Sequence, residues 1–172
     1  DPNEVLFNPA IDVISIASYD DVHRDQIIAA LKNGKHVFVE KPLCLTRDEY
    51  DDIVVTLESR QNLQLSSNLI LRKVPRFQEL RRRLREGRLG NLYYLEGDYD
   101  YGRLHKITKG WRGRLKNYSV VHGGGIHLID LLLWLTGKRI IEVFAYGNRL
   151  STQGSQFKNA DMVVAVLKFS DD

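Results

Sequence analysis

The run from residue 12 to residue 40 constrains the fold of this chain more than any other part. It opens with "DVISIAS" (residues 12–18), a short, nearly all-apolar stretch typical of a strand in a sheet covered on both faces. Apolar residues at helical spacing follow, and Asn33-Gly34 predict the end of that helix. "HVFVE" (36–40) then predicts a second strand. Strand, helix and strand at this spacing predict a parallel βαβ unit with a right-handed crossover.

The βα alternation continues to about residue 71 and then stops. Thr46, with Glu49 three residues later, predicts a capping box and a helix to about residue 60, before a strand at 63–71. Beyond it, residues 91–102 alternate like a half-exposed antiparallel strand. An apolar helix (126–137) and strands at 140–148 and 160–170 complete the pattern. The change predicts a second domain that begins near residue 71.

Basic residues cluster in "RKVPRFQELRRRLREGRLG", although the net charge is only +3. Such a run is one possible signature of nucleic-acid binding. Phe77, Leu80 and Leu84, however, recur at helical spacing, so the arginines are expected to cover the wet face of an amphipathic helix. No aromatic residues alternate with them as single-strand binding requires. We therefore expect no nucleic-acid partner.

The single cysteine, Cys44, excludes an internal disulfide framework and favours a reducing, cytoplasmic location. Apolar stretches fall short of the roughly 20 residues that span a bilayer, so no membrane partner is expected. The chain begins with Asp1 and reads like the middle of a longer sequence. A fragment of this kind is expected to be inactive by itself.

Two short motifs could carry chemistry. Lys41 lies between Glu40 and Pro42 at the end of a predicted strand, where open α/β sheets bind ligands. It is either a fixed cation beside a substrate or an ordinary surface lysine before a turn. In "HGGGIHLID" (122–130), His127 would lie in the first helical turn, where the helix dipole favours a neutral ring able to act as a base. The alternative is a tight glycine turn with a structural histidine.

Other uses of the glycine triplet fit less well. A dinucleotide fingerprint needs G-x-G-x-x-G after a strand, and a Walker loop needs a lysine and a hydroxyl after its last glycine. Neither pattern is present. A metal site built from His122, His127 and Asp130 is conceivable, but nothing else supplies ligands at a diagnostic spacing. No metal is therefore expected.

"DVISIAS", "ALKNGKHVFVEKPL", "LRKVPRF" and "GGGIHLIDLLLWLTG", in this order, resemble the GFO/IDH/MocA family of nicotinamide-dependent oxidoreductases. The resemblance implies an α/β chain: the C-terminal part of a Rossmann-like doubly wound sheet, then an α+β domain with an open, mainly antiparallel sheet. Residues 1–70 would be a partial dinucleotide-binding domain that lacks its first strands, and residues 71–172 a partial substrate and oligomerisation domain. A homo-oligomer through the second-domain sheet is implied as well.

The resemblance also implies roles for individual residues. Lys41 matches the lysine that contacts substrate, framed by Glu40 and Pro42 across a Lys-Pro bond that is often cis in the family. His127 matches the catalytic histidine, and Asp130 the acidic residue one turn later. Ser18, Tyr19 and His23 match the segment that lines the cofactor. Glu40, Lys41 and Pro42 complete the predicted cofactor-binding set.

One position departs from the family pattern. Many members carry a substrate-binding aspartate four residues before the histidine, where this chain has Gly123. Either His122 or a residue of the long polar connection from 103 to 121 would replace it. That connection contains Trp111, and long connections without periodicity often line a site. Trp111, His122 and Gly123 are therefore the candidate substrate-binding positions.

The predicted activity is hydride transfer between NAD or NADP and a secondary alcohol of a sugar, cyclitol or related polyol. Lys41, His127 and Asp130 are the predicted catalytic residues. The alternative is a non-catalytic binding or regulatory member of the same fold, in which the missing aspartate marks lost turnover.

Overall fold

The chain forms two compact units in a computed structural model that describes residues 1–170. The first unit spans residues 1–68 and the second begins at Leu69. The predicted domain boundary, between residues 70 and 71, lies two residues further along the chain. Residues 171 and 172, the end of the predicted second domain, lie outside the described residues.

The first unit is a three-stranded parallel sheet with helices. The strands lie in the order β1-β2-β3, with Val13 opposite His36 and Val37 opposite Leu65. A 3₁₀ turn, Asp20–Val22, precedes the second helix. The elements in chain order are α1 (Pro2–Leu6), β1 (Val13–Ile16), α2 (His23–Lys32), β2 (His36–Val39), α3 (Arg47–Glu58) and β3 (Leu65–Ser67).

The apolar core of this unit lies between the sheet and two helices. Ile16 and Val39 point from the strands towards Ile27 and Ile53 of α2 and α3, and all four are buried. The two helices also contact each other, so both cover the same face of the sheet. Phe38 on the opposite face is exposed. Within the described residues, the expectation of a sheet covered on both faces is therefore not met.

Two local predictions in this unit need correction. Thr46 caps α3 as predicted, since its hydroxyl accepts from the Glu49 amide at 3.2 Å. Glu49, however, accepts from the amide of Leu45 at 2.7 Å, so the predicted capping box is displaced by one residue. The third strand covers only Leu65–Ser67, because β3 pairs with β2 and β2 ends at Val39.

The second unit combines helices with an antiparallel hairpin. A 3₁₀ turn, Ile70–Lys73, leads into the first of its helices. Strands β4 and β5, both predicted from the sequence, pair antiparallel with Ala145 opposite Ala165. The elements in chain order are α4 (Pro75–Arg85), α5 (His105–Thr108), α6 (Ile126–Thr136), β4 (Ile140–Asn148) and β5 (Met162–Phe169). The α/β architecture, with parallel strands followed by an antiparallel sheet, confirms the predicted fold class.

The strand predicted at residues 91–102 is wrong. The segment is extended and largely exposed, but none of its residues is assigned to a strand. A strand needs backbone partners, and the two long strands of this unit pair with each other. The alternation of apolar and polar residues predicted an extended backbone correctly and its pairing incorrectly.

The basic helix is amphipathic as predicted. Phe77, Leu80 and Leu84 are half-buried, and Arg82 forms ion pairs with Glu79 and Glu86 along the exposed face. The hydrogen bond from Arg82 is the main reason that the pKa of Glu79 falls to about 2. Several of these arginines are thus matched by carboxylates within their own helix.

Candidate active-site residues

In the first unit, the predicted residues collect at the carboxyl edge of the parallel sheet. Ser18 follows β1, Glu40 and Lys41 follow β2, and Asn68 follows β3. The Glu40 amide donates to the Ile16 carbonyl at 2.8 Å, and the Asn68 side-chain amide donates to the Glu40 carboxylate at 2.6 Å. The three strand ends are thus tied together into one polar edge, which is where such sheets bind ligands.

A buried histidine binds the turn after β2. The Lys41-Pro42 peptide bond is cis, as the family resemblance implies. The His23 ring is fully buried, with Nδ1 2.7 Å from the carbonyl oxygen of Pro42 and Nε2 3.4 Å from that of Ser18. A carbonyl oxygen only accepts, so Nδ1 carries a proton and donates it.

This burial changes the predicted cofactor-binding set. His23 has no accessible surface and Pro42 is also fully buried, so neither side chain can contact a cofactor directly. They connect the turn after β1 to the turn after β2 instead. Ser18, Glu40 and Lys41 are half-buried and Tyr19 is exposed, so burial does not remove those four from the predicted set.

In the second unit, the glycine triplet is helical. Val121–Gly125 form a single π-helical turn that runs directly into α6. None of the three glycines has a positive φ angle, so the tight turn considered as an alternative is not formed. His127 therefore lies inside a continuous helical segment rather than at its start. Because the dipole effect fades within the first turn, the dipole argument that predicted a neutral ring does not apply to His127.

The glycines allow two tyrosine rings to lie against this turn. The Tyr99 ring stacks on the buried His127 ring, with 6.1 Å between centroids and 25° between planes. A side chain at Gly124 would come within 2.5 Å of the Tyr99 ring. A side chain at Gly123 would overlap the hydroxyl of Tyr118. The Tyr118 phenol thus fills the space where many family members carry an aspartate.

Tyr118 is held in place from the hairpin connection between β4 and β5. Its ring is buried and meets the Phe157 ring edge to face, with 6.4 Å between centroids. Asn159 donates to the Tyr118 carbonyl at 2.5 Å. The phenol is therefore a fixed polar group beside Gly123, which precedes His127 by four residues.

Asp130 is engaged by an arginine. Arg72, from the 3₁₀ turn before α4, binds both carboxylate oxygens of Asp130, and only 9% of the Asp130 side chain is exposed. This hydrogen bond raises the pKa of the Arg72 guanidinium above its usual range. A buried carboxylate in a two-point ion pair fixes the helix that carries His127.

The other predicted substrate-binding residues lie nearby in sequence but have different surroundings. His122 Nδ1 lies 3.2 Å from the Ser119 hydroxyl, which also accepts from the His122 amide. Trp111 begins a 3₁₀ turn, Trp111–Arg114, and is half-buried. The Arg112 guanidinium lies 4.3 Å from the centre of the Trp111 ring.

The sequence did not point to Tyr99 or Tyr118. Both lie in stretches that predicted a strand and a loop, and tyrosine at such positions is common on any surface. The one indication was indirect: glycines destabilise a helix, so a glycine triplet inside one implies that a bulky side chain packs against it.

Within residues 1–170, no three His, Cys, Asp or Glu side chains are grouped so that they could hold a metal ion. The helices in the same range are all too short or too polar to cross a bilayer.

Both units match sequence models of one protein family. Residues 1–68 match the "Oxidoreductase family, NAD-binding Rossmann fold", and residues 77–172 match the "GFO/IDH/MocA C-terminal domain". The first match covers the first unit, and the second match lies within the second unit.

Individual relatives agree with these matches. The chain is 30% identical to inositol 2-dehydrogenase 2 of Saccharopolyspora erythraea, over 88% of this chain and 42% of that protein. It is 28% identical to scyllo-inositol 2-dehydrogenase (NAD(+)) of Bacillus subtilis, over 98% of this chain and 48% of that protein. The crystal structure of myo-inositol 2-dehydrogenase from Lactobacillus plantarum superposes with a TM-score of 0.87 at 24% identity, over 98% of this chain and 50% of that one. The chain thus spans about half the length of these relatives, and it belongs to the GFO/IDH/MocA family.

Proposed function

We propose that the full-length protein containing this chain transfers hydride between NAD or NADP and a secondary alcohol of a sugar, cyclitol or related polyol. The observation that carries this proposal is the ordered match of the two units to the two domains of one oxidoreductase family. The relatives named as inositol dehydrogenases support a polyol substrate, and the one named for NAD(+) supports the cofactor.

The carboxyl edge of the first unit has donors and acceptors that fit a nicotinamide cofactor. A hydroxyl from Ser18, the carboxylate of Glu40 and the amide of Asn68 lie at the ends of adjacent parallel strands. Ribose hydroxyls bind groups of this kind, and the edge of a parallel sheet is where dinucleotides bind. Ser18, Tyr19, Glu40 and Lys41 would hold the cofactor, which accepts the hydride when bound.

The proposed chemistry needs a base and a cation. His127 takes the proton of the substrate hydroxyl, because the hydrogen bonded to the carbon that bears this hydroxyl leaves as hydride. The Lys41 ammonium stabilises the negative charge that develops on the alcohol oxygen. Asp130, bound by Arg72, holds the helix of His127 in place. The Tyr118 phenol, fixed beside Gly123, donates a hydrogen bond to a substrate hydroxyl in place of the family aspartate.

The test is steady-state reduction of NAD⁺ and NADP⁺ by the full-length protein with a panel of polyols. Lys41→Ala and His127→Ala should each lower kcat by about 10²- to 10⁴-fold, the usual contribution of a positioned acid-base group. Lys32→Ala, an exposed lysine at the end of α2, serves as the matched control. Wild-type rates in both site variants would contradict these roles.

The same assay separates Asp130 from the reacting groups. Asp130→Asn keeps one acceptor for Arg72, so we expect a lower stability and a kcat within about tenfold of wild type. A loss as large as that of His127→Ala, in a variant that unfolds at the wild-type urea concentration, would place Asp130 in the chemistry itself.

Gly123 favours a second candidate function, a non-catalytic family member that binds a polyol without turnover. It predicts saturable polyol binding by calorimetry and no nicotinamide reduction with any substrate. Turnover with any member of the polyol panel would exclude it.

We also propose that the protein forms a homo-oligomer through the β4–β5 sheet. A two-stranded sheet is marginally stable alone, and this one exposes a series of large apolar side chains. They are Ile141, Val143, Phe144, Tyr146, Met162, Val164 and Val166. Sedimentation of a Val166→Lys variant should give a smaller species than wild type, and unchanged sedimentation would argue against this interface.

A further inference from the structure

We infer that the cavity lined by side chains between His105 and Arg112 is an anion-binding subsite that selects substrates carrying a carboxylate or a phosphate group. This inference rests on the proposed function, because the anionic group would belong to the alcohol that is oxidised. It names the substrate class within the polyols and assigns a binding site to side chains that the reaction itself does not use.

The charge of this segment is one-sided. Residues 103–116, "RLHKITKGWRGRLK", contain six lysines or arginines, one histidine and no acidic residue. The whole chain, in contrast, has 25 basic and 22 acidic residues, so overall composition does not account for the excess. On α4 the arginines have glutamates beside them in the same helix, but this segment has none.

The segment folds around an open cavity. Helix α5 and the 3₁₀ turn that begins at Trp111 border about 410 Å³ of this open cavity, a volume within the size range of small-molecule sites. No carboxylate belongs to its described lining, which consists of His105, Lys106, Lys109, Gly110, Trp111 and Arg112. Ammonium and guanidinium groups bind carboxylates and phosphates through charge-assisted hydrogen bonds, and an anion would relieve their mutual repulsion.

Specific contacts fix the backbone that lines the cavity. Gln156, from the connection between β4 and β5, donates to the Gly110 carbonyl at 2.9 Å and accepts from Arg114 at 3.3 Å. Gly110 lies so close to the Lys106 carbonyl that any side chain there would overlap it. The backbone of the cavity is therefore fixed from two sides.

A neighbouring tyrosine reports the positive field of this region. The pKa of Tyr101 lies below its usual range, first because Lys106 hydrogen-bonds to the phenol and then because of the charges of Lys106 and Arg103. Both cations also lie 5.7 Å from the centre of the Tyr101 ring. Lys106 and Arg103 thus stabilise negative charge on a neighbouring side chain, as they would on a ligand.

Side-chain contacts lead from the cavity to the glycine turn, which is the π-helical turn formed by Val121–Gly125. The Arg112 guanidinium lies over the Trp111 ring and 5.9 Å from the centre of the Tyr118 ring. The Tyr118 hydroxyl in turn lies beside Gly123, four residues before His127. A sugar whose anionic group binds at Lys106 and Lys109 would therefore extend its hydroxyls towards the proposed base.

The experiment compares a neutral hexose, the corresponding uronic acid and the hexose 6-phosphate as substrates of the full-length protein. We expect kcat/KM for one of the two anionic sugars to exceed that of the neutral hexose by at least about tenfold. The excess should shrink as potassium chloride is raised, because salt screens the contact. The two anionic substrates distinguish a carboxylate site from a phosphate site.

Variants locate the preference. In the double variant Lys106→Gln, Lys109→Gln, the ratio of anionic to neutral kcat/KM should fall about tenfold or more. Because both values come from one protein sample, partial unfolding cancels in the ratio. Lys116→Gln, an exposed lysine of the same segment outside the cavity, is the matched control and should keep the wild-type ratio.

Calorimetric titration with inorganic phosphate and with the uronic acid makes the inference testable without turnover. Binding that is lost in the double variant and kept in Lys116→Gln supports the subsite even if no substrate is oxidised, which would overturn only the proposed function. Turnover of all three sugars at equal kcat/KM, with no anion binding, would overturn the subsite alone. Tighter binding of a single-stranded oligonucleotide than of either sugar anion, with no substrate preference, would also overturn it.

Discussion

The two units of this chain position their candidate site residues in different ways. In the first unit, Ser18, Glu40 and Lys41 follow directly from strands that are fixed by an apolar core. In the second, His127 lies on a helix whose surroundings are set by aromatic rings and an arginine-carboxylate pair. The first arrangement depends on regular secondary structure, and the second on particular side chains far apart in sequence. Mutations should therefore disturb the two halves through different physical effects.

The core of the first unit should give the largest stability change. Ile53 of α3 is 1% exposed and packs among the strands and α2. Ile53→Ala should lower the free energy of unfolding by about 2–5 kcal/mol, through lost burial and the cavity left behind. Urea denaturation measures the change, and Val55→Ala on the same helix is the control because Val55 is 67% exposed. Equal effects of the two variants would mean that the apolar core does not hold this half together.

In the glycine turn of the second unit, two neighbouring glycines should differ in their tolerance of a side chain. A methyl group at Gly124 would press on the Tyr99 ring, whereas one at Gly125 would meet only Val121 at 3.4 Å. Gly124→Ala should cost about 1–3 kcal/mol of stability through overpacking and displace the ring that stacks on His127. Gly125→Ala should be tolerated, or slightly stabilising, since alanine favours a helix over glycine.

Denaturation and polyol turnover together test this prediction. The fluorescence of the tyrosines beside the turn should also differ between the two variants. If Gly125→Ala proves as damaging as Gly124→Ala, close approach of the tyrosine ring is not what the glycines provide.

The sequence predicted the first half of the candidate site better than the second for a physical reason. The edge formed by Ser18, Glu40 and Lys41 follows from hydrophobic periodicity alone, because parallel strands must end at the same side of a sheet. The burial of His23 could not be predicted, since its partner Pro42 lies 19 residues away in a turn of special geometry. Periodicity says where strands end but not which side chains bind the turns between them.

The second half depends on contacts that no local pattern encodes. Residues 91–102 were predicted as a strand because alternation indicates an extended backbone but not a pairing partner. The stacking of Tyr99 on His127 and the binding of Arg72 to Asp130 join residues 28 and 58 positions apart. The apolar helix and the two final strands, in contrast, were predicted correctly from their apolar composition.

The smallest expected effect concerns the thiol that follows the Lys41 turn. Burial is the main reason that the pKa of Cys44 rises from 9.0 to about 11, and the charge of Glu49 adds to it. The folded chain therefore holds this proton more tightly than the unfolded chain does. Its effect on stability is absent below about pH 9 and becomes unfavourable as the pH rises towards 11, where only the unfolded thiol is ionised.

The measurement is the rate of alkylation of Cys44 by iodoacetamide as a function of pH. In the native protein the rate should rise with a midpoint near pH 11, and in urea with a midpoint near pH 9. Because Cys44 is the only cysteine, the loss of free thiol reports this position alone. A native midpoint close to that in urea would mean that the turn after β2 opens readily to solvent. The rigid edge assigned to the first unit would then be as dependent on individual side-chain contacts as the glycine turn of the second.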